Sequence, residues 1–175
     1  MTDQTAVLLL IAAALVAVFL ILWIRRRSAR AAQTSDESWV LVDGSNVMHW
    51  RDGMPSLDPV KAVVAQLTAQ GHVPGVVFDA NAGWKLMGRY LHDGAFARLL
   101  GLESRQVLVV PKGSQADPFL LQTAREFGAR IVTNDRYRDW AAAHPEVLAP
   151  GFLIPGGMRD GKVWLRGLTA REGAP

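Results

Sequence analysis

Three kinds of hydrophobic pattern follow one another along the chain. Residues 6–24 are apolar without interruption. As a helix rising about 1.5 Å per residue, such a run reaches roughly 28 Å, close to the hydrocarbon thickness of a bilayer. An amphipathic core helix would carry a polar face, and this run carries none, so it predicts a transmembrane helix. Residues 39–42, 73–78, 106–110 and 129–133 are short runs rich in β-branched residues, too continuously apolar for half-exposed strands; they predict buried parallel strands. Between the first two lies LDPVKAVVAQLTAQG, where Val60, Val63, Val64 and Leu67 recur at helical spacing, with Asp58 as the expected N-cap, Pro59 as the first helical residue and Gly71 as the stop. A second helical pattern covers 85–100 and is expected to break at Gly94; a third, DPFLLQTAREFG, repeats the Asp-Pro opening and the Gly ending. Strands alternating with helices predict an α/β fold, a parallel sheet with helices on both faces. After Pro150 the alternation stops, and FLIPGGMRDGKVWLR predicts two short strands around a Gly-rich turn, an addition at the sheet edge.

Charge gives the first segment an orientation. Only Asp3 precedes the apolar run, whereas Arg25, Arg26, Arg27 and Arg30 follow it. That is the reverse of a cleaved signal peptide. By the positive-inside rule it predicts an N-terminus facing out and everything after Arg30 in the cytoplasm. The divisions expected are a membrane helix at 6–24, a basic and polar linker at 25–37, one domain at 38–168 and a flexible tail at 169–175. Of 19 Lys+Arg and 16 Asp+Glu, four arginines and one aspartate lie before residue 31, so the remainder is formally neutral despite a pI near 9.7. Positive residues still gather at Lys85, Arg89, Arg98, Arg105 and Lys112, and again at Arg125, Arg130, Arg136 and Arg138. Each group is either a solvated helical face or part of a polyanion groove. The chain has no cysteine, which excludes disulfides and thiolate metal sites.

The strands end on acids. The first closes VLVD at Asp43, the second VVFD at Asp79 and the fourth IVTND at Asp135, while Asp117 opens the helix after the third. In open α/β sheets the carboxyl ends of the strands line the ligand crevice, so four carboxylates are expected at one rim. Without a counter-charge they would repel and some would take up protons. A divalent ion relieves this, and oxygen ligands without cysteine or clustered histidine favour Mg²⁺ or Mn²⁺ over Zn²⁺. Asp43-Gly44 is also a turn dipeptide, but a hairpin would need an antiparallel partner directly after it, and VMHW runs instead into Arg-Asp-Gly-Met-Pro. Asn46 could bond the turn backbone, or hold Asp43 or a substrate. Asp79 sits in DANAG, which also suits a turn. Asp135 and Asp139 stand four apart, a spacing that puts them on one face of a helical turn. His49, His72, His92 and His144 show no ligand spacing.

Taken in order, VLVDGSNVMHW, ADPFLLQTA and IVTNDRYRDW resemble the successive motifs of the NYN-type ribonucleases of the PIN-like superfamily, in particular the branch found in regnase-type zinc-finger ribonucleases. The resemblance spans roughly residues 38–145. It implies a PIN-like fold and a Mg²⁺-dependent endoribonuclease, with Asp43, Asn46, Asp117, Asp135 and Asp139 at the matching catalytic positions. Three features depart from the pattern: Ala116 stands where the third motif often has the first of two acids, no CCCH zinc finger can form, and Lys85 to Arg105 is a longer helical insertion than the family pattern has.

The resulting expectation is a membrane-anchored endoribonuclease acting on single-stranded RNA. Asp43, Asp117, Asp135 and Asp139 would hold Mg²⁺ or Mn²⁺, Asn46 would position Asp43 or the phosphate, and Asp79 and Ser45 form a second tier. Lys112, Arg136, Arg138, Lys85 and Arg89 would meet the RNA backbone. An aspartyl phosphatase of the haloacid dehalogenase type also begins with Asp after a first strand, but it needs a second Asp where Ser45 stands. A catalytically weak RNA-binding or scaffold domain is the remaining alternative.

Overall fold

A computed structural model describes residues 38–170. The expected membrane helix at 6–24, the linker at 25–37 and most of the tail lie outside these residues. Among the described residues no helix is long and apolar enough to cross a membrane.

The chain enters through β1 (Trp39–Asp43), turns through a four-residue helix α1 (Gly44–Val47), and crosses back through α2 (Asp58–Ala69) to β2 (Val73–Phe78). Two further helices, α3 (Ala82–Met87) and α4 (Asp93–Leu100), lead to β3 (Val107–Val109); α5 (Ala116–Phe127) leads to β4 (Arg130–Val132). Two 3₁₀ turns, Arg138–Trp140 and Pro145–Leu148, precede β5 (Leu153–Ile154). The five strands form one parallel sheet in the order β3-β2-β1-β4-β5. Successive strands step one way from β1 and then the other, so the order reverses between β1 and β4. That reversal is where an open α/β sheet leaves a crevice at its carboxyl edge.

Alternation along β1 divides the core. Val40 and Val42 face a cluster with Val60, Val63, Val64, Leu67, Phe96 and Leu100 from α2 and α4. Trp39 and Leu41 face Leu120, Leu121 and Ala124 of α5. Helices therefore cover both faces, which is why these strands carry no polar side. Phe78 stacks on Phe96 with ring centroids 4.1 Å apart, and the Phe78 ring closes over the start of α1. A Cβ on Gly44 would sit 2.5 Å from that ring, so glycine is needed here for close approach.

Several local expectations are corrected. Asp58 is not the N-cap of α2; Leu57 is, with no side-chain cap bond. Asp58 instead pairs with Arg51 at 3.0 Å on the surface. The 85–100 pattern does break, but at Gly88, which takes a left-handed φ of 66° and ends α3; Gly94 lies inside α4. Beyond Pro150 the two strands expected at the edge become three. β5 joins the sheet in parallel, and β6 (Gly156–Arg159) with β7 (Lys162–Leu165) forms a separate antiparallel pair. Its turn is at Asp160-Gly161, while Gly156 and Gly157 belong to β6 because a Cβ on Gly156 would meet Trp50 and the Trp164 backbone at 2.6–2.7 Å.

Candidate active site

Asp43 is the last residue of β1, beside Val77 of β2 and one position beyond the pairing of Val42 with Val132 of β4. This puts its carboxylate at the reversal of strand order. Three donors hold it: the Asn46 N–H reaches Oδ1 at 3.1 Å, and the Thr133 and Tyr137 hydroxyls reach Oδ2 at 3.1 and 2.8 Å. Oδ2 has two donors and Oδ1 has one, so Oδ1 retains a free direction for a further partner.

The other acids arrive from neighbouring connections. Asp117 lies in the first turn of α5, half-buried, and its Oδ2 accepts from the Trp140 indole N–H at 3.2 Å. It does not cap α5, whose N-cap is Gln115. Asp135 accepts the Tyr137 N–H at 2.8 Å, while its own N–H donates to the Thr133 hydroxyl at 3.0 Å. Asp79 follows β2, with its N–H given to the Ser45 hydroxyl at 2.8 Å; Ser45 thus ties the end of β2 to the turn after β1. Asp79 and Asp117 share a cleft of about 610 Å³ with Asn81, Lys112, Ser114 and Gln115.

Electrostatics shows which acids feel one another. Burial is the largest influence on Asp43 and raises its pKa above the usual carboxylate value; the bonds from Tyr137, Asn46 and Thr133 oppose it, and Asp117 adds to it. The Asp117 pKa is also raised, by burial first, against the Trp140 hydrogen bond, and then by Asp135 and Asp79. No Lys or Arg is among the influences on either carboxyl. The Tyr137 hydroxyl is pushed upward by burial and by the Asp43 charge, so it remains a donor throughout the working pH range.

Asp43, Asp117, Asp135 and Asp79 are therefore brought together. Asp139 is not among the groups that influence Asp43 or Asp117. It does not share a helical face with Asp135, because Tyr137 between them adopts a left-handed φ of 48° and the 3₁₀ turn starts only at Arg138. Asp139 is exposed, and none of the interactions at Asp43 or Asp117 involves it. Asn46 holds Asp43 only through its backbone. Its side-chain oxygen instead accepts from the Asn134 N–H at 3.1 Å and from the Trp50 indole at 3.0 Å, fastening the loop after β4 to the turn after β1. Among the basic residues, Lys112 lines the cleft, and Arg136 and Arg138 are exposed on either side of Tyr137. Lys85 and Arg89 are exposed beside α3. Arg125 is engaged elsewhere, with Glu146 at 2.9 Å.

Sequence assigns no role to Thr133, Asn134, Tyr137 and Trp140, although Tyr137 and Trp140 are large aromatic residues among the charges of IVTNDRYRDW that a surface turn does not need. Tyr137 is only 2% exposed, a burial that could be suspected from an aromatic residue flanked by charges. Asn134 pairs reciprocally with Gly156, giving a bond to its oxygen at 2.9 Å and taking one from its nitrogen at 3.1 Å; nothing local signals that contact.

The donor set suits a hard cation, since every candidate ligand is an oxygen and the carboxyls lack a counter-charge. Among the described residues, however, no three acids or histidines stand close enough to form a ready ligand group. An ion held by one or two carboxylates and otherwise by water is the habit of Mg²⁺.

A family model described as "Zc3h12a-like Ribonuclease NYN domain" matches residues 36–149. No curated protein matches the chain. Two solved structures of the nuclear protein-only RNase P 2 of Arabidopsis thaliana are similar. One has 19% identity and a TM-score of 0.56, covering 79% of this chain and 33% of that one. The other has 20% identity and a TM-score of 0.55, covering 82% and 33%. The chain thus spans about a third of the length of these structures, and at such identity the likeness concerns the fold.

Proposed function

The chain belongs to the Zc3h12a-like ribonuclease NYN domain family, and from that premise we propose that it is a divalent-metal-dependent endoribonuclease that hydrolyses single-stranded RNA at the crevice between β1 and β4. The observation that carries this reading is the placement of Asp43, Asp79, Asp117 and Asp135 along one carboxyl edge of the sheet, where Asp117 feels the other three and the pKa values of Asp43 and Asp117 are both raised. Such a site gains most from a cation.

Asp43, through the free direction of Oδ1, together with Asp117 and Asp135, would hold the ion; Asp139, exposed on the next turn, would reach it only through water. When bound, a divalent ion polarises a phosphoryl oxygen and lowers the pKa of a coordinated water. The protein's own contribution is positioning. Tyr137 and Thr133 fix the plane of the Asp43 carboxylate, Trp140 holds Asp117, and the Asn46 side-chain amide ties the turn after β1 to the loop after β4. Lys112, at the wall of the cleft, supplies positive charge for the phosphate, and Arg136 and Arg138 supply it along the strand. The uninterrupted apolar run at 6–24 with four arginines after it supports a membrane anchor with this domain on the cytoplasmic side.

Full-length protein incubated with labelled single-stranded RNA should cleave it in Mg²⁺ or Mn²⁺ and stop in EDTA. Asp43→Asn should lose activity on the order of 10²-fold or more. The spread of the acids, with no ready ligand group, favours one other reading, a domain that binds RNA without cutting it; intact RNA retained by the protein in the presence of either metal would establish that reading instead.

A further inference from the structure

Among the described residues, eight large hydrophobic side chains are exposed, and three of them, Trp84, Met87 and Tyr90, fall within seven positions. Trp84 is 57% and Tyr90 55% exposed. An isolated exposed aromatic is ordinary, but a cluster marks a contact surface. The backbone builds this one deliberately. A Cβ on Gly83 would lie 2.7 Å from the Arg89 oxygen and 2.6 Å from the Leu91 nitrogen, so the segment after α3 folds back against the start of that helix. Buried Ala82, Gly83 and Leu91 anchor the two pieces, and Trp84, Lys85, Arg89 and Tyr90 are left exposed.

Charge and position select the occupant. From Ala80 to His92 there are two cations, Lys85 and Arg89, and no acid; neither cation pairs with a carboxylate among the described residues. The surface is also continuous with the catalytic rim, because Asn81, which lines the cleft with Asp117 and Lys112, is the residue before α3. Trp84 is three positions on, about 4.5 Å further along the helix axis. Resting on the nuclease reading above, we propose that Trp84 and Tyr90 are a base-stacking platform for the single-stranded RNA leaving the cleft, with Lys85 and Arg89 meeting its phosphates. Aromatic faces accept any base, so the platform supplies grip and strand selectivity without sequence preference.

The test compares the full-length protein with Trp84→Ala, Tyr90→Ala and Trp84→Phe, using a fluorescent 20-nucleotide single-stranded RNA, its duplex form and a tetranucleotide. Binding is read by anisotropy in EDTA and cleavage by initial rates in Mg²⁺. Trp84→Ala should weaken binding of the 20-mer about 5- to 150-fold, raise its KM with kcat kept, leave the tetranucleotide unaffected and leave the melting temperature unchanged; Trp84→Phe should restore most of the binding. Parent-like binding of the 20-mer by both alanine variants overturns the platform while leaving the nuclease intact. A parent that binds but never cuts overturns the nuclease, and the anisotropy of the variants still decides the platform. If the alanine variants bind RNA normally but lose affinity for anionic phospholipid vesicles, the surface serves the membrane and the proposal is wrong.

Discussion

Replacing Tyr137 by Phe removes one hydroxyl and keeps the buried ring. The lost bond, 2.8 Å to Asp43 Oδ2, has a carboxyl acceptor, and hydrogen bonds to a charged acceptor contribute about 1.5–3 kcal/mol. Thr133 and the Asn46 N–H remain on the carboxylate, so the lower half of that range is expected. The pH dependence is more telling than the size. Burial already raises the folded-state pKa of Asp43, so its ionisation works against folding: the metal-free protein is favoured below the unfolded value of 3.8 and loses that advantage as pH rises through the higher folded value. Tyr137 opposes the shift by stabilising the anion. In Tyr137→Phe the penalty should therefore be larger at the higher pH, where more of Asp43 is ionised, and should shrink as the pH is lowered and the carboxyl takes up its proton. Urea unfolding in EDTA at pH 7 and at pH 4 measures both. A loss that is equal at the two pH values would mean that Tyr137 acts by packing alone, and no loss at either would remove the hydroxyl from the account of the site.

Millimolar Mg²⁺ or Mn²⁺ should raise the melting temperature, since a ligand that binds only the folded chain at 100 times its Kd stabilises it by about 2.7 kcal/mol; Asp43→Asn should largely abolish the shift in a thermal scan. Asp117→Asn keeps an acceptor for the Trp140 indole but removes a charge whose pKa is raised, so it should abolish cleavage yet melt higher than the parent in EDTA at pH 7, with the difference vanishing towards pH 4. Asp58→Ala, which loses only an exposed pair with Arg51, should keep full activity and stay within about 1 kcal/mol of the parent in stability. Gly44→Ala drives a methyl into Phe78, held in turn by Phe96, and should cost about 1–3 kcal/mol by chemical denaturation. Full-length protein should stay with membranes through high salt and carbonate washes; its release by either would refute the anchor.

The strands and α2 were legible because burial on both faces leaves a pattern that one residue cannot disguise: Val60, Val63, Val64 and Leu67 are all buried. The position of Asp43, Asp79 and Asp135 is legible for a related reason: Asp43 ends β1, Asp79 directly follows β2 and Asp135 lies three residues beyond β4, all at the carboxyl edge that faces the crevice. The cap at Asp58 is not legible because Asp-Pro fits the N-cap and the first turn equally well, and nothing local to Asp117 shows that an indole 23 residues away donates to its carboxylate. The Asp135–Asp139 spacing misled because spacing presumes a continuous helix, and the left-handed Tyr137 is set by its hydroxyl reaching Asp43, a partner 94 positions distant. Asn46 was noticed, but the turn motif cannot reveal that its side chain faces Asn134 rather than Asp43. Long-range polar contacts have no period, so they leave no mark on the pattern from which the elements are read.

The same separation of 94 residues between Asp43 and Tyr137 sets a clock during synthesis. At about 5–20 residues per second, the ribosome needs roughly 5–20 s after Asp43 to complete Tyr137. For most of that interval β4 is missing, Asp43 lacks Thr133 and Tyr137, two of its three donors, and Asp135 has not been made. A nascent chain cannot assemble the crevice before these residues are made, so the cleavage proposed above would begin only when the domain is nearly finished. Activity is thereby tied to completion of the fold.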